Sequence, residues 1–407
     1  MTQKYVFHGK KIKIGQICPA IFLPAVILLL AGCGTAGPVA EEPVTQPFYN
    51  ASTAPPTVAA DSEAEEPAAT TRKPEQIPTP TATTESLTEK ESLPPTELKT
   101  NGATIPLSAL EHRTEDTNAP VVYFTKNIDS DSMQLLYFVL TPGLPGKIAV
   151  KLTTGESQLT NYLKPELIGP LVQMTDGTIV ECMTAYGGVR STAALSKQAA
   201  KDRGYTAIAP FDLLDEDGGT ELPLTGGTRL DKAIVGSHIA NYDSVLVLSH
   251  FKGHPMAGFG GAIKNVGIGM SSQKGKIYVH SAGTRTAGVI LHHDQDAWLE
   301  AMAEAVKAVS DYENGGKNML YISVMNRLSV DCDCVALPMA PDMHDVGMLA
   351  SFDPVALDQA CVDLAYAVPD GGSLVARMEA LNGIHVLEHA EKIGLGSRSY
   401  RLVCIDE

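Results

Sequence analysis

Two histidines, two lysines and four glycines lie close together between Ser249 and Asn265. A neutral imidazole can bind a transition metal or transfer a proton near neutral pH. Glycine lets a backbone approach a ligand closely and point its amide groups at an anion, and a lysine adds positive charge. These residue types predict a ligand site, although a glycine-rich loop alone fits a tight structural turn equally well.

The candidate residues come from this stretch and from one histidine beyond it. His250 and His254 are four positions apart, but the glycine and proline beside them argue against a helix, so helical zinc-ligand geometry is not expected. His280 follows Lys264 at a distance, after a strand-like run. A lone histidine is more often a hydrogen-bonded structural residue, but three near one basic glycine loop favour a functional site. The residues predicted to bind a ligand or cofactor are Gly258, Gly260, Gly261, Lys264 and Asn265.

A second candidate is the alternating Asp-Cys-Asp-Cys sequence at 331–334. In an extended backbone its two cysteines point to one face and its two aspartates to the other. Two thiols on one face can chelate a soft metal, so a transition metal is the candidate cofactor. The predicted metal ligands are His250, His280, Cys332 and Cys334.

The cysteines also allow a structural interpretation. In an exported protein Cys332 and Cys334 can form disulfides or remain buried thiols, and the possible partners are Cys182, Cys361 and Cys404. These five cysteines are an odd number, so at least one thiol is unpaired or binds a metal. No Cys-x-x-Cys occurs, so the spacing does not support an iron–sulfur cluster.

The elements that position these residues are predicted from short aliphatic runs alternating with helical segments. This alternation favours an α/β fold with a mostly parallel sheet flanked by helices, in one or two lobes. A buried strand over Ser244–Leu248 ends directly before the histidines, where open α/β sheets usually bind ligands. The other predicted strands are Val121–Thr125, Lys147–Leu152, Thr178–Met183, Lys232–Val235, Lys276–His280, Met319–Val324 and Tyr400–Ile405. The predicted helices are Ser132–Leu140, Lys164–Met174, Ser191–Arg203, Ala297–Val309, Asp353–Ala367 and Arg377–Lys392.

The N-terminus has the pattern of a secretory signal. Lysines precede an apolar run from Ile14 to Ala31, and the run ends in Leu-Ala-Gly-Cys33. These four residues resemble a bacterial lipobox, which implies a signal peptide over 1–32 and lipid attached to the Cys33 sulfur. The alternative is an uncleaved membrane anchor. Both predict an extracytoplasmic protein, and lipid on Cys33 would hold it to the cell membrane.

The segment 33–118 is rich in Pro, Thr, Ala, Ser and Glu, with few aromatic residues. Such a composition cannot bury enough apolar surface to offset its ordering entropy, so a disordered tether is expected, followed by the α/β domain over 119–407. The chain has 31 basic and 47 acidic residues and a net charge of −16. This balance argues against nucleic acid as a partner and leaves a small anion as the candidate ligand of Lys264.

The combination of motifs resembles the domain of unknown function 362 family, also called the "Fe–S centre" proteins. The resemblance spans about Val121 to Ala367. Many members carry a ferredoxin insert after the histidine that corresponds to His280, whereas this sequence continues without a cysteine cluster, so the iron–sulfur label is not transferred. The motifs are His250-Phe-Lys-Gly-His254, Gly258-Phe-Gly-Gly-Ala-Ile-Lys-Asn265, His280-Ser281, Asp331-Cys-Asp-Cys334 and Ala350-Ser-Phe-Asp-Pro-Val-Ala-Leu-Asp358.

The segment from His254 to His280 is also similar to the corresponding part of nickel-pincer lactate racemases. That resemblance implies that Lys264 tethers the cofactor, His280 binds nickel and His254 is an acid/base. The second acid/base histidine of that family has no counterpart here, and its cofactor is made in the cytoplasm. The similarity therefore indicates where the site lies and does not identify its activity.

Two functional hypotheses follow. The first is a membrane-anchored lipoprotein with a metal- or cofactor-binding site, in which His254 and Lys264 are catalytic and act in proton or redox chemistry on a small anionic substrate. The alternative is a non-catalytic extracytoplasmic lipoprotein that binds an anionic ligand or a cell-wall component.

Overall fold

The computed structural model describes residues 96–140, 143–290 and 294–406. The predicted signal peptide, the lipidation site at Cys33 and most of the predicted linker lie outside these residues. The described residues belong to one compact unit. Within them, no helix is both long and apolar enough to cross a membrane.

The first part of the described chain alternates strands with three helices. In chain order the elements are β1 (Glu97–Lys99), β2 (Thr104–Pro106), β3 (Val121–Thr125), α1 (Ser130–Val139), β4 (Ile148–Lys151), α2 (Pro165–Met174), β5 (Thr178–Glu181), α3 (Ala193–Asp202), β6 (Phe211–Leu213), β7 (Gly219–Pro223) and β8 (Lys232–Gly236).

The second part contains the long central strand and most of the helices. Its elements are β9 (Ser244–His250), β10 (Lys252–His254), β11 (Gly258–Gly260), α4 (Ala262–Gly267), α5 (Gln273–His280), α6 (Gln295–Tyr312), β12 (Met319–Met325), β13 (Gly347–Ser351), α7 (Pro354–Ala367), α8 (Gly372–Ala380), α9 (His385–Lys392) and β14 (Arg401–Cys404).

Eight of the described strands form one sheet in the order β14-β3-β13-β12-β9-β4-β5-β6. Strand β13 pairs antiparallel with both of its neighbours, and every other pair in this sheet is parallel. The predicted α/β fold with a mostly parallel sheet is therefore confirmed.

Both faces of the sheet are covered, which explains the continuous apolar sequence of β9. Val245 and Val247 pack into the core on one face, where Trp298 of α6 is fully buried. Leu246 and Leu248 pack into the core on the other face, which receives side chains from α1 and α2. A one-residue shift in register would move every side chain of β9 to the opposite face of the sheet, and the packing on both faces opposes this. The register of β9 therefore fixes the position of His250 at its end.

The folded region starts earlier than the predicted boundary at residue 119. Strands β1 and β2 pair antiparallel. Leu98, Ile105, Leu107 and Leu110 are buried in the same core as the central strands. Three of these four apolar side chains lie within residues 105–110, but the segment as a whole is polar, and its overall composition outweighed them.

Two element predictions were wrong. Lys276–His280 is the second half of helix α5, because Ser272 caps that helix and accepts a hydrogen bond from the Gly275 amide. The predicted helix over Arg377–Lys392 is divided into α8 and α9, and Asn382 at the break has a positive φ of 49°. In both places a capping or turn residue determines the structure, although the local apolar pattern favours another element.

Candidate functional site

Four parallel strands end at the same edge of the sheet and bring the candidate residues together. Strand β9 ends at His250, β12 is followed by Asn326, β4 ends at Lys151 and β5 ends at Glu181. The carboxyl ends of neighbouring parallel strands meet at one edge, so the loops after them share one space. The predicted site lies at this edge.

The glycine-rich stretch forms a small hairpin followed by a short helix. Strands β10 and β11 pair antiparallel, with Lys252 opposite Gly260 and His254 opposite Gly258. Gly258 has a positive φ of 80°, and a Cβ there would lie 3.0 Å from Cα of Gly383. This glycine is therefore required by its backbone conformation and by the close approach of the α8–α9 turn.

The amide groups at the start of α4 bind a carboxylate of the protein itself. Asp358 on α7 accepts hydrogen bonds from the backbone N–H of Ala262 at 2.8 Å and of Ile263 at 2.9 Å. A Cβ on Gly261 would lie 2.3 Å from Oδ1 of Asp358. The predicted anion cradle is thus occupied by Asp358, which fixes α4 and with it Lys264 and Asn265.

His254 is buried, and its hydrogen bonds define its tautomer. Its Nδ1 accepts the backbone N–H of Met256 at 3.2 Å and of Ala257 at 2.9 Å. Since Nδ1 accepts both bonds, the proton of the neutral ring is on Nε2. Burial, and then the charges of Lys264 and His280, lower the pKa of His254 well below its usual value. The ring is therefore a neutral Nε2–H donor.

The two cysteines of the 331–334 run lie beside this donor. The chain makes a turn here, with the Val335 amide bonded to the Cys332 carbonyl at 2.9 Å, and not the extended backbone that was predicted. The Cys334 amide also donates to Sγ of Cys332 at 3.4 Å, and Sγ of Cys334 lies 3.6 Å from Nε2 of His254. The turn therefore brings both thiols to the same point.

The environment polarises the thiol pair. The hydrogen bond from the Cys334 thiol, and then the charges of Lys264 and Lys252, lower the pKa of Cys332 well below its usual value in spite of burial. The same thiol–thiol hydrogen bond, together with burial, raises the pKa of Cys334. Nζ of Lys264 lies 3.8 Å from Sγ of Cys332. Cys332 is thus prepared as a thiolate, the form that binds metals.

Ligand atoms of His254, Cys332 and Cys334 all lie within 4.8 Å of one another. For a tetrahedral metal with ordinary metal–sulfur and metal–nitrogen distances, a sulfur and a nitrogen ligand are about 3.6 Å apart. The His254–Cys334 distance of 3.6 Å fits that spacing. A histidine ligand normally donates from its other nitrogen, however, whereas Nδ1 of His254 accepts two N–H groups. The two thiols therefore offer two ligands to a soft metal, and His254 fits the role of a hydrogen-bond donor beside it.

His250 is placed in a buried ion-pair network and not beside the thiols. Its Nδ1 lies 2.9 Å from Oδ2 of Asp333 and its Nε2 lies 2.7 Å from the carbonyl oxygen of Asn326. Lys252 also pairs with Asp333, at 2.9 Å. Burial alone would raise the pKa of Asp333, but Lys252 and His250 hold it well below its usual value. Both ring nitrogens of His250 face acceptors, so it is unsuited to bind a metal as placed.

His280 lies at the end of α5 and stacks on Trp298, with ring centroids 5.2 Å apart. Its Nδ1 is 2.6 Å from the backbone carbonyl oxygen of Lys276. A carbonyl can only accept, so Nδ1 carries the proton and Nε2 is the unprotonated nitrogen of the neutral ring. This tautomer, opposite to that of His254, suits a metal ligand or a proton acceptor.

Two cavities meet at Lys264 and Asn265. The smaller, of about 20 Å³, is lined by Cys332 and Asp333 among others and has room for about one water. The larger, of about 210 Å³, is lined by Lys264 and Asn265 and also by His254, His280 and Cys334. The predicted residues that share the larger cavity are therefore two histidines, one lysine and one thiol.

Charged side chains also line the larger cavity. Arg190 donates to Glu181 at 2.8 Å and to Glu156 at 3.0 Å, and its other nitrogen donates to the hydroxyl of Tyr186 at 3.1 Å. Lys276 also lines the cavity. In a protein with 47 acidic and 31 basic residues, three cationic side chains and one carboxylate line this space. The cavity therefore favours an anion.

Sequence reasoning missed several of these residues. Lys276 and Arg190 carry no recognisable motif, and Lys151 is a fully buried lysine at the end of an apolar strand. For Lys151 the sequence does contain a signal, namely a lysine inside an apolar strand. Lysine is almost never fully buried without a partner, so such a position indicates a polar site. All five cysteines in the described residues are unpaired, so none of the disulfides that the structural alternative allowed is formed there.

Among solved structures, the chain is similar to the lactate racemase apoprotein from Thermoanaerobacterium thermosaccharolyticum, with a TM-score of 0.37, 12% identity, and 67% of this chain and 62% of that chain covered. It is also similar to a protein from Thermotoga maritima, with a TM-score of 0.35, 12% identity, and 56% and 57% covered. The chain thus spans about three fifths of the length of these structures. No curated protein matches the sequence.

A family model described as "Domain of unknown function (DUF362)" matches residues 148–363. This range is more than half of the 407 residues. It starts in β4, ends in α7 and includes the strand ends, the β10–β11 hairpin and the two cysteines of the site. The chain therefore belongs to the DUF362 family, as its motifs predicted.

Proposed function

We propose that the protein binds a soft transition metal through Cys332 and Cys334, and that it transfers a proton on a small organic anion in the adjoining cavity. The observation that carries the proposal is the turn that brings the two thiols together beside the Nε2–H of His254, with these three groups within 4.8 Å of one another. The metal, when bound, supplies a Lewis acid that polarises an oxygen of the substrate.

Cys332 and Lys264 prepare the metal-binding end. A metal ligand must be deprotonated, and the surroundings of Cys332 lower the pKa of its thiol before any metal is bound. Lys264 balances that negative charge, since its ammonium group lies 3.8 Å from Sγ. The Lys264 side chain also lines the larger cavity, so its ammonium group can attract an anion there.

The two histidines have different tasks. The Nε2–H of His254 is a neutral donor, held by two backbone amides at Nδ1, and it stabilises negative charge that develops on a substrate oxygen. His280 has its unprotonated nitrogen at Nε2 and accepts the substrate proton. This assignment changes the expected role of His254 from acid/base to hydrogen-bond donor.

The metal is tested on the full-length protein by elemental analysis and by titration with Co²⁺. The wild type should bind about one equivalent with a thiolate-to-cobalt charge-transfer absorption. The variant C332S/C334S should bind none, whereas Cys404→Ser, which changes an exposed cysteine on β14, should bind normally. Equal binding by C332S/C334S and the wild type would refute the metal centre.

Catalysis is tested separately by incubating the metal-loaded protein with short carboxylic acids in D₂O. Incorporation of deuterium next to the carboxylate, followed by NMR, supports proton transfer. A tight complex from which the acid is recovered without deuterium supports instead the alternative of a non-catalytic binding protein, which the cationic cavity also favours.

We further propose that the protein is extracytoplasmic and anchored to the membrane by lipid on Cys33. The proposal rests on the basic and apolar residues that precede Leu-Ala-Gly-Cys33. Cys33→Ala should abolish labelling by radioactive palmitate and leave the signal peptide uncleaved. Normal processing and lipid labelling of this variant would contradict the anchor.

A further inference from the structure

Lys276 is a buried cation in the wall of the larger cavity. It lies on α5, one turn before His280, and it is only 5% exposed. Its side chain lines the cavity that also contains His254 and Lys264. Lys276 belongs to none of the sequence motifs and has no role in the proposed proton transfer.

The surroundings compensate its charge only in part: burial lowers the pKa of Lys276, and the nearby carboxylates of Asp215 and Glu181 offset some of that effect. Its ammonium group donates one hydrogen bond, to the carbonyl oxygen of Ser271. Among the described residues it has no carboxylate in ion-pair contact. Burial raises the pKa of the neighbouring Cys182 thiol to about 12, so that group is uncharged at neutral pH. Both oxygens of Asp215 accept backbone N–H groups.

Burying an ammonium group without an ion-pair partner is unfavourable for folding. A ligand in the cavity that binds the group would offset this cost. The other cations of the cavity are already balanced. Arg190 is paired with Glu181 and Glu156. Nζ of Lys264 lies 3.8 Å from Sγ of Cys332. Lys276 therefore has two of its three ammonium donors left for a ligand.

The shape and lining of the cavity favour an organic anion. A volume of about 210 Å³ corresponds to about seven waters in the liquid, which is more than one inorganic oxyanion fills. Apolar side chains of Met256, Ile268, Ile290 and Val335 line it next to the charged ones. Apolar walls with a few convergent polar groups are typical of sites for small organic molecules.

We propose that Lys276 binds the carboxylate of the substrate and so selects short monocarboxylic acids. Residues one turn apart on a helix have Cβ atoms about 5–6 Å apart, so a carboxylate at Lys276 puts the next carbon atoms beside His280. The inference rests on the proposed function for the reacting end, while the carboxylate contact itself is independent of the metal.

The test is binding of propionate, glycolate and succinate to the full-length protein by isothermal titration calorimetry, with propionamide and sulfate as comparison probes. Propionate and glycolate should bind, and propionamide, sulfate and succinate should bind at least tenfold more weakly. Lys276→Met, which keeps the length of the side chain without its charge, should weaken propionate binding about 10- to 100-fold. Lys274→Met changes an exposed lysine of the same helix and should have no effect.

The stability of Lys276→Met separates a binding role from a structural one. Removing a buried charge that is only partly compensated should leave the thermal midpoint unchanged or higher, so a stable variant that no longer binds propionate supports the proposal. A stable Lys276→Met with wild-type affinity overturns it. Propionate binding is measured without added metal, so Lys276-dependent binding together with equal Co²⁺ binding by C332S/C334S and the wild type would refute only the metal proposal.

Discussion

Nε2 of His254 lies 3.6 Å from Sγ of Cys334, and its N–H group points to the sulfur as a hydrogen-bond donor. The two backbone amides at Nδ1 determine this, because they leave only Nε2 for the proton of the neutral ring. The histidine nearest the thiols is therefore prepared to stabilise negative charge on sulfur or oxygen. His280 is the opposite tautomer, with its proton on Nδ1, so its Nε2 is a hydrogen-bond acceptor.

These tautomers can be measured directly. In metal-free protein, long-range ¹H–¹⁵N NMR spectra should show His254 protonated at Nε2 and His280 protonated at Nδ1. Adding one equivalent of Zn²⁺ should leave the pattern of His254 unchanged, because the thiols bind the metal. A large shift of the His254 Nε2 resonance on metal binding would make it a ligand and contradict its role as donor.

Gly261→Ala should lower the free energy of unfolding by about 1–3 kcal/mol, as overpacked sites do. The new Cβ would lie 2.3 Å from Oδ1 of Asp358, so α4 must move away from α7. Chemical denaturation measures the change. Gly372→Ala is the matched control, because no atom lies within 4 Å of its new Cβ, and its effect should stay within about 0.5 kcal/mol. Similar values for both variants would mean that the Asp358 contact does not hold α4.

Asp333→Asn should cost about 3–5 kcal/mol of unfolding free energy, since it leaves the buried ammonium group of Lys252 without its carboxylate and removes the carboxylate partner of His250. Asp331→Asn, two positions earlier, is the control. Its partner Arg377 is 3.5 Å away and more exposed, so this variant should cost less than about 1 kcal/mol. Urea denaturation at neutral pH compares the two, and an equal cost would contradict a special role for the buried network.

Lys151 predicts a pH dependence of stability. Burial lowers its pKa from 10.5 to about 7, against the attraction of Glu181. Between these values the unfolded chain binds more protons at this group than the folded chain does. Its contribution to the unfolding free energy should therefore rise with pH, by up to about 1.4 kcal/mol per unit.

The comparison of wild type with Lys151→Met between pH 7 and 8.5 isolates this contribution, because other groups titrate equally in both proteins. The stability of the wild type relative to the variant should increase across that window. A constant difference between the two proteins would show that Lys151 is not held in a charge-excluding environment.

Local sequence predicted the fold and the place of the site because both depend on short patterns. The apolar run before His250 predicts a buried strand, and Asp353 followed by a proline predicts a helix start. Asp353 does accept the amides of Val355 and Ala356 at 2.8 and 3.0 Å. The fold class therefore followed from periodicity and capping alone.

The interior of the site could not be predicted in this way, because its contacts join distant segments. The glycines near Lys264 predicted an anion cradle, whereas their neighbouring amides bind Asp358. Lys276 was predicted in a strand, since Ile277 and Val279 are β-branched and the Ser272 cap lies outside that run. The tautomer of His254 depends on two backbone amides in a turn, which side-chain patterns do not encode.

The Asp358 contact also dictates when the site can exist. Asp358 follows Ala262 by 96 residues, and α4 is not fixed until α7 has arrived to bind its amides. In the proposed exported protein, which crosses the membrane from its N-terminus, the histidines and Lys264 emerge long before that carboxylate. The part of the site that Lys264 and Asn265 form would then be completed only after Asp358 has followed them across the membrane.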